Sequence, residues 1–168
     1  MTTTHDLAPA LSCVISDQLG PADRQALLDL FERSSPRTRR ERFHHALAVF
    51  PESYLDDIVE GRQLALGARD ACDPENHGRV FGVASAASMG AGTAEFAVWV
   101  DDAWQGHGVG TLLTKALFEA LGRAGIRTAI GIAEPGNPAV RRMISKAAQR
   151  YSINAHDDVL VISVPLGT

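Results

Sequence analysis

The residues best suited to chemistry lie in one stretch of the chain, where an apolar run is followed by a glycine-rich loop and then by a helical pattern. Glycine allows the backbone to approach a ligand closely and to adopt conformations closed to other residues. The first amides of a helix lack internal partners and lie at the positive end of its dipole. The pattern therefore predicts a loop that binds a diphosphate through main-chain donors. The predicted loop residues are Gln105, Gly106, His107, Gly108, Val109, Gly110 and Thr111.

The spacing of these glycines excludes two other phosphate-binding loops. A P-loop requires Gly-Lys-Ser/Thr at the start of its helix, but Gly110 is followed by Thr111 and Leu112. The dinucleotide-binding fingerprint G-x-G-x-x-G, counted from Gly106 and Gly108, requires its third glycine at position 111, which is Thr111. A glycine-rich connection without any ligand remains the alternative interpretation.

The run from Gln105 to Gly110 resembles the Q/R-x-x-G-x-G/A motif of the GNAT superfamily of N-acetyltransferases, and the order of elements from Leu11 to Val164 resembles that family too. The resemblance implies acetyl-CoA as co-substrate, with its diphosphate on the loop and its pantetheine arm beside the preceding strand. The arm would pair with main-chain groups of Val98, Trp99 and Val100. Such pairing requires this strand to splay away from the one predicted at Thr128 to Ala133.

Asn137 resembles the asparagine with which the family contacts the pantetheine arm. Asparagine followed by Pro138 is also well suited to be a simple helix N-cap, and both roles are compatible. Seven residues later, many GNAT enzymes carry a tyrosine that protonates the departing thiolate. This chain has Ile144 there, so water is expected to supply that proton.

Glu95 is the candidate general base, because it is the only acid inside the apolar strand predicted from Ala94 to Val100. Removing the proton of an ordinary lysine at pH 7 costs roughly 4 to 5 kcal/mol, which a nearby base lowers. Desolvation in an apolar strand is expected to raise the pKa of this carboxyl to a useful value. A glutamate facing water at a strand end is the alternative, and the fallback bases at strand exits are Asp101, Asp102 and Glu134.

Two further similarities point to the acceptor. The AEFAV strand and the segment from Phe31 to Phe43 resemble bacterial protein-lysine acetyltransferases within the GNAT superfamily, which implies a protein lysine as acceptor and Glu95 as base. The arginines of that segment are expected to orient an acceptor or to form a solvated helix face. A small-amine acetyltransferase and a non-catalytic acyl-CoA-binding module are the alternatives.

The predicted elements give a mixed α/β (α+β) fold, with a largely antiparallel sheet of about six to seven strands and helices on both faces. A flexible tail is expected at 1–10 and a single domain at 11–168. Strands are predicted at 11–15, 63–69, 79–87, 94–100, 128–133, 151–155 and 159–164. Helices are predicted at 20–33, 37–49, 52–60, 109–123 and 137–149.

The composition of the chain limits the kinds of partner and the cellular location that we expect. A net charge of −4 argues against nucleic-acid binding, and no apolar run reaches the length of a membrane span. The histidines show no metal-ligand spacing. The two cysteines, Cys13 and Cys72, are expected to be reduced thiols, which favours a cytoplasmic protein. A monomer or a homodimer is expected.

Overall fold

The computed structural model describes residues 14–44, 47–73, 75 and 78–167. Within them, seven strands form one sheet in the order β1-β2-β3-β4-β5-β7-β6. Neighbouring strands are antiparallel except for the parallel pair β4 and β5. The strands are β1 Val14–Gln18, β2 Leu64–Asp70, β3 Gly82–Gly90, β4 Thr93–Val100, β5 Thr128–Ala133, β6 Ser152–His156 and β7 Val159–Pro165.

Five α-helices accompany the sheet in the described part of the chain. They are α1 Arg24–Arg33, α2 Pro36–Phe43, α3 Glu52–Val59, α4 Val109–Arg123 and α5 Pro138–Ala147. Short 3-10 turns at Pro21–Asp23 and Asp102–Trp104 precede α1 and follow β4. The predicted fold class, a mixed and largely antiparallel sheet flanked by helices, is confirmed.

Each sheet face carries its own apolar core. On one face, α4 and α5 pack on alternating strand residues such as Ala94 and Phe96. On the other face, α1 and α3 pack on a cluster that includes Val83 and Trp99. Successive strand residues point to opposite faces, so β4 contributes to both cores. Glu95 consequently shares the face of Trp99.

Several predicted boundaries differ from the structure. The first strand starts its described part at Val14 and runs to Gln18, while 11–13 and the expected tail at 1–10 lie outside the described residues. Helix α2 was expected to reach Val49 but ends at Phe43, because His44 adopts a left-handed conformation with φ of 61°. Strand β3 begins at Gly82 rather than Arg79. None of these shifts moves the glycine-rich loop.

The expectation of reduced thiols is wrong at Cys72, which is disulfide-bonded, while Cys13 lies outside the described residues. Distance along the sequence says little about proximity in a sheet, so cysteine spacing alone could not predict this bond. Disulfides are rare in cytosolic proteins, so the bond does not support the cytoplasmic prediction.

Candidate active site

The central feature of the site is a gap between β4 and β5. Their parallel pairing covers only three residues of each strand and ends at Glu95 and Ile130. Beyond this point β4 stays paired with β3 as far as Val100, while β5 pairs with β7 to its end. The two strands therefore splay apart, as the resemblance to GNAT enzymes required.

The gap opens into a cleft of about 800 Å³. Its walls include every residue of β4 from Glu95 to Val100, the end of β5, the start of α4, one side of α5 and one side of α2. Because consecutive β4 residues line it, the cleft is open to both faces of the sheet. One ligand can thus enter from the α4 and α5 side and another from the α2 side.

Strand alternation decides which β4 main-chain groups face the gap. The Asp101 amide donates to the Phe81 carbonyl at 2.9 Å, which directs the main chain of Asp101 toward β3. By alternation, Trp99 also faces β3, whereas Val98 and Val100 present their amides and carbonyls to the gap. The Trp99 side chain is buried and donates from Nε1 to Ser34 Oγ at 2.9 Å. Trp99 is thus a sheet and core residue.

The glycine-rich loop has the geometry of an anion cradle. Gly106 and Gly108 have φ of 77° and 88°, in the left-handed region that favours glycine. Helix α4 begins at Val109, and its first internal bond runs from the Leu112 amide to the Gly108 carbonyl. The amides from Gly108 to Thr111 precede that bond and have no acceptor inside the helix.

Individual loop residues differ in how they meet the cleft. Gln105, Gly106, Gly108, Gly110 and Thr111 line it. The side chain of Val109 is buried in the core beneath α4, so only its amide is available to a ligand. The exposed His107 does not line the cleft.

Gln105 ties the loop to two neighbouring elements. Its Nε2 donates to the Val100 carbonyl and to Thr38 Oγ1, each at 3.0 Å. Thr38 Oγ1 in turn donates to Asp102 Oδ1 at 2.9 Å. The Ser35 amide and hydroxyl also donate to Asp102, at 2.9 and 2.7 Å. The start of α2 is thereby fixed to the loop and to the end of β4.

Asp102 is an anchor for α2 rather than a base. Burial alone raises the pKa of Asp102, but the hydrogen bonds from Ser35 and Thr38 outweigh it, so its pKa lies below the usual range. Asp101 is also structural: its buried carboxylate pairs with Arg33 at 2.9 Å and Arg79 at 3.5 Å. The remaining fallback, Glu134, lies 3.8 Å from Arg40 in an ion pair.

Glu95 lies where the splay opens, at the last β4–β5 pair, and lines the cleft. Its side chain is exposed, so the desolvation expected from its apolar strand is absent. The reason is that Glu95 lies on the sheet face covered by α1 to α3, at the strand end those helices leave open. An exposed carboxylate at this place can accept a proton directly or through water.

Asn137 caps α5 and lines the cleft. Its Oδ1 accepts from the Val140 amide at 3.4 Å, so the N-cap role holds, and the cap leaves Nδ2 for another acceptor. Ile144 is fully buried in the core and does not line the cleft.

Within the described residues, no group of His, Cys, Asp and Glu could hold a metal ion. No helix in the described ranges is long and apolar enough to cross a membrane.

Comparison with known proteins identifies the family. The model of the acetyltransferase (GNAT) family matches residues 25–148, more than half of the chain. The chain therefore belongs to the GNAT acetyltransferase family: it is an N-acetyltransferase whose co-substrate is acetyl-CoA. A search of the curated proteins found no match.

Solved structures share the fold at low sequence identity. The GNAT domain of PAT from S. lividans has a TM-score of 0.78 and 20% identity, covering 90% of this chain and 89% of that one. A phosphinothricin acetyltransferase from Sinorhizobium meliloti, solved with AcCoA, has a TM-score of 0.71 and 14% identity over 92% and 89%. Spermidine N-acetyltransferase from Vibrio cholerae, solved with CoA and spermine, has a TM-score of 0.69 and 14% identity over 92% and 96%.

The residues of the cleft fit acetyl-CoA. The phosphates require several converging donors, which the amides at the start of α4 provide. The space beside Gly110 is bounded by Met143 Sδ, 3.3 Å from where a Cβ would lie, and by the side chains of Val98 and Val100. Glycine at this position therefore lets the helix start lie directly against the open edge of β4. Arg142 and Lys146 of α5 add positive charge to the same wall.

Proposed function

We propose that this acetyltransferase transfers the acetyl group directly to a lysine side chain of a protein, with Glu95 as general base. The observation that carries the proposal is the position of Glu95 at the point where β4 and β5 separate. Of the carboxylates considered from the sequence, Asp101 and Asp102 are fixed in structural contacts and Glu134 pairs with Arg40. Glu95 lines the cleft without such a contact within the described residues.

The proposed binding of acetyl-CoA uses main-chain groups. The amides from Gly108 to Thr111 bind the diphosphate, and Val98 and Val100 pair with the pantetheine arm as an added strand would. Trp99 is left out of this pairing, since its main chain faces β3. Asn137 contributes Nδ2 to the arm, Gly106 gives the loop its path, and Gln105 holds the loop to β4 and α2. His107 borders the diphosphate from outside the cleft.

The proposed step is a direct transfer. Glu95 takes a proton from the acceptor ammonium, and the freed nitrogen bonds to the acetyl carbon. The nitrogen then loses a second proton to water as the carbon–sulfur bond breaks, which leaves the amide and the CoA thiolate. A gap-facing amide of β4 stabilises the carbonyl oxygen as negative charge develops on it. The thiolate takes a proton from water, because Ile144 supplies none and is buried away from the cleft. No covalent enzyme intermediate is required.

A small amine is the second candidate acceptor. Two of the similar structures are enzymes named for spermidine and for phosphinothricin, so this fold accepts such substrates elsewhere. A protein lysine is favoured by the similarity of the segment from Phe31 to Phe43 to protein-lysine acetyltransferases. Family membership decides against the non-catalytic acyl-CoA-binding module. A single domain at 11–168, a cytoplasmic location and a monomeric or homodimeric state stay predictions.

The test is release of free CoA thiol across a panel of lysine-containing proteins and small amines. Glu95→Gln keeps the shape of the side chain and is expected to lower kcat/KM by ~10²- to 10⁴-fold, the usual contribution of a general base. Glu119→Gln is the matched control, because among the described residues this exposed glutamate of α4 pairs only with Arg123, and it lies outside the cleft lining. Unchanged turnover in Glu95→Gln would show that Glu95 is not the general base. Turnover with small amines alone would exclude a protein lysine as the acceptor.

A further inference from the structure

The cleft is positively charged although the whole chain carries −4. Among the described residues, its charged lining consists of four cations and two carboxylates: Arg37, Arg42, Arg142, Lys146, Glu41 and Glu95. A positive cleft in an acidic protein indicates anionic ligands. The question is whether acetyl-CoA accounts for all four cations.

The two cations of α5 lie on the co-substrate side. Helix α5 packs against the start of α4, where Met143 Sδ accepts from Thr114 Oγ1 at 3.4 Å. Arg142 and Lys146 belong to this helix and line the cleft beside the glycine-rich loop. Their charges complement the phosphates of acetyl-CoA.

The first α2 cation is neutralised within its own helix. Arg37 Nε donates to Glu41 Oε1 at 2.9 Å, four residues along α2. This exposed pair leaves no net charge for a ligand. In the part of the chain that the structure describes, Arg42 is therefore the lining cation on the α2 side whose charge is not balanced.

Arg42 is held by aromatic rings instead of by carboxylates. Its guanidinium carbon lies 4.7 Å from the ring centre of Phe43 and 4.5 Å from that of Tyr54. The Tyr54 hydroxyl is fixed by a 3.0 Å hydrogen bond with Ser85 Oγ. Within the described residues, the Arg42 guanidinium has neither a carboxylate partner nor a hydrogen-bond acceptor. Cation–π contacts use the flat face of the guanidinium and leave the N–H edge for an anion.

Arg42 lies on the same side of the sheet as the candidate base. The Phe43 ring packs 5.9 Å from that of Trp99, and Trp99 shares its sheet face with Glu95. Acetyl-CoA, by contrast, is placed by the helix start and the α5 cations on the opposite face. An anion that reaches Arg42 must then belong to the acceptor.

We propose that Arg42 binds a negatively charged group of the acceptor, so the enzyme selects amines with a neighbouring anion. This inference rests on the proposed amine acetyltransferase function and names its substrate class: a primary amine with a carboxylate or similar anion close to it. On a small molecule the anion is part of the amine, and on a protein it is an acidic residue beside the lysine. The planar N–H edge of arginine matches a carboxylate with two parallel hydrogen bonds.

The test uses acceptor pairs that differ only in charge: γ-aminobutyrate against γ-aminobutyramide, and a Glu-Lys-Glu peptide against Gln-Lys-Gln. Wild-type kcat/KM is expected to favour the anionic member of at least one pair by roughly 10- to 100-fold, the range of a charged hydrogen bond. The preference is expected to shrink as salt rises. Which pair shows it distinguishes a small-molecule acceptor from a protein.

Arg42→Gln is expected to abolish the preference for anionic acceptors. Arg42→Lys is expected to retain part of it, because lysine keeps the positive charge but cannot form the two parallel hydrogen bonds of a guanidinium. Arg37→Gln is the matched control and is expected to retain the preference. A wild type indifferent to acceptor charge, or an Arg42→Gln variant that retains the full preference, overturns the inference. Circular dichroism and acetyl-CoA calorimetry check that each variant is folded.

The two proposals fail in different ways. If no acceptor in the panel supports thiol release, the proposed function fails. Calorimetry of the same acceptor pairs with CoA-loaded protein still measures the charge preference and its dependence on Arg42. If turnover occurs without any charge preference, only the role of Arg42 fails.

Discussion

Replacement of Gly108 by alanine tests the anion cradle at its most constrained residue. Gly108 precedes α4 with φ of 88° and ψ of 1°, a conformation that a residue with a Cβ adopts at a cost of about 1–2 kcal/mol. The loop can relieve this backbone strain by leaving the left-handed conformation, and that change turns the first amides of α4 away from the diphosphate. The dissociation constant of acetyl-CoA is therefore expected to rise by roughly 5- to 30-fold.

Gly122→Ala in the same helix is the matched control. A Cβ at Gly122 meets no atom within 4 Å, and the residue has no positive φ. Alanine near the end of a helix is expected to stabilise the helix by up to about 1 kcal/mol and to leave the dissociation constant of acetyl-CoA unchanged.

Isothermal titration calorimetry gives the dissociation constant, and thermal melts confirm that both variants are folded. If Gly108→Ala binds acetyl-CoA as tightly as the wild type, the amides at the start of α4 are not its main contact. An equal loss of affinity in Gly122→Ala would attribute the effect to general destabilisation of α4.

Three further changes test other parts of the site. Asp102→Asn weakens the hydrogen bonds from Ser35 and Thr38 and is expected to lower the free energy of unfolding by about 1 kcal/mol at pH 7. The loss is no larger because solvent at the exposed side of the carboxylate already screens these bonds. The pKa of Asp102 is lowered in the folded state, so the ionised carboxylate is the form that stabilises the fold. The difference in the free energy of unfolding between wild type and variant, measured by urea titration, should therefore shrink as pH falls below the ordinary value of 3.8 and disappear below the lowered pKa. A difference that does not change with pH would contradict this expectation. Gly131→Ala places a Cβ 2.7 Å from the Phe96 ring and should lower the melting temperature; an unchanged value would show that the ring moves freely. Ile144→Tyr overfills a fully buried position and is expected to cost about 1–3 kcal/mol in urea titrations without raising kcat, whereas a higher kcat would place residue 144 at the cleft.

Local sequence signals predicted the elements around the loop closely. Helix α4 and strand β5 have the predicted bounds, because amphipathic spacing and glycine boundaries determine both. The end of α2 was missed because it depends on His44 adopting a left-handed conformation, for which the sequence carries no strong signal. Cys72 was misjudged because disulfide pairing depends on tertiary proximity.

The candidate site was predictable where it depends on the local chain and not where it depends on packing. The splay and the cleft lining by Glu95 and Asn137 agree with the motif-based expectation. The sequence left open whether Glu95 is desolvated or faces water, and its exposure agrees with the second alternative. The sequence could not decide between them, because the answer depends on where the helices above the sheet stop. The ring contacts of Arg42 and the links from Thr38 join residues far apart in sequence, so no spacing rule could reveal them.

The central claim, that main-chain amides hold acetyl-CoA between two separating strands, is tested most directly by amide hydrogen exchange measured by NMR. Addition of acetyl-CoA is predicted to slow exchange at Val98, at Val100 and from Gly108 to Thr111. Trp99 should exchange slowly with or without it, because its amide faces β3. Acetyl-CoA binding that leaves the amides of Val98, Val100 and the α4 start unprotected would contradict the account.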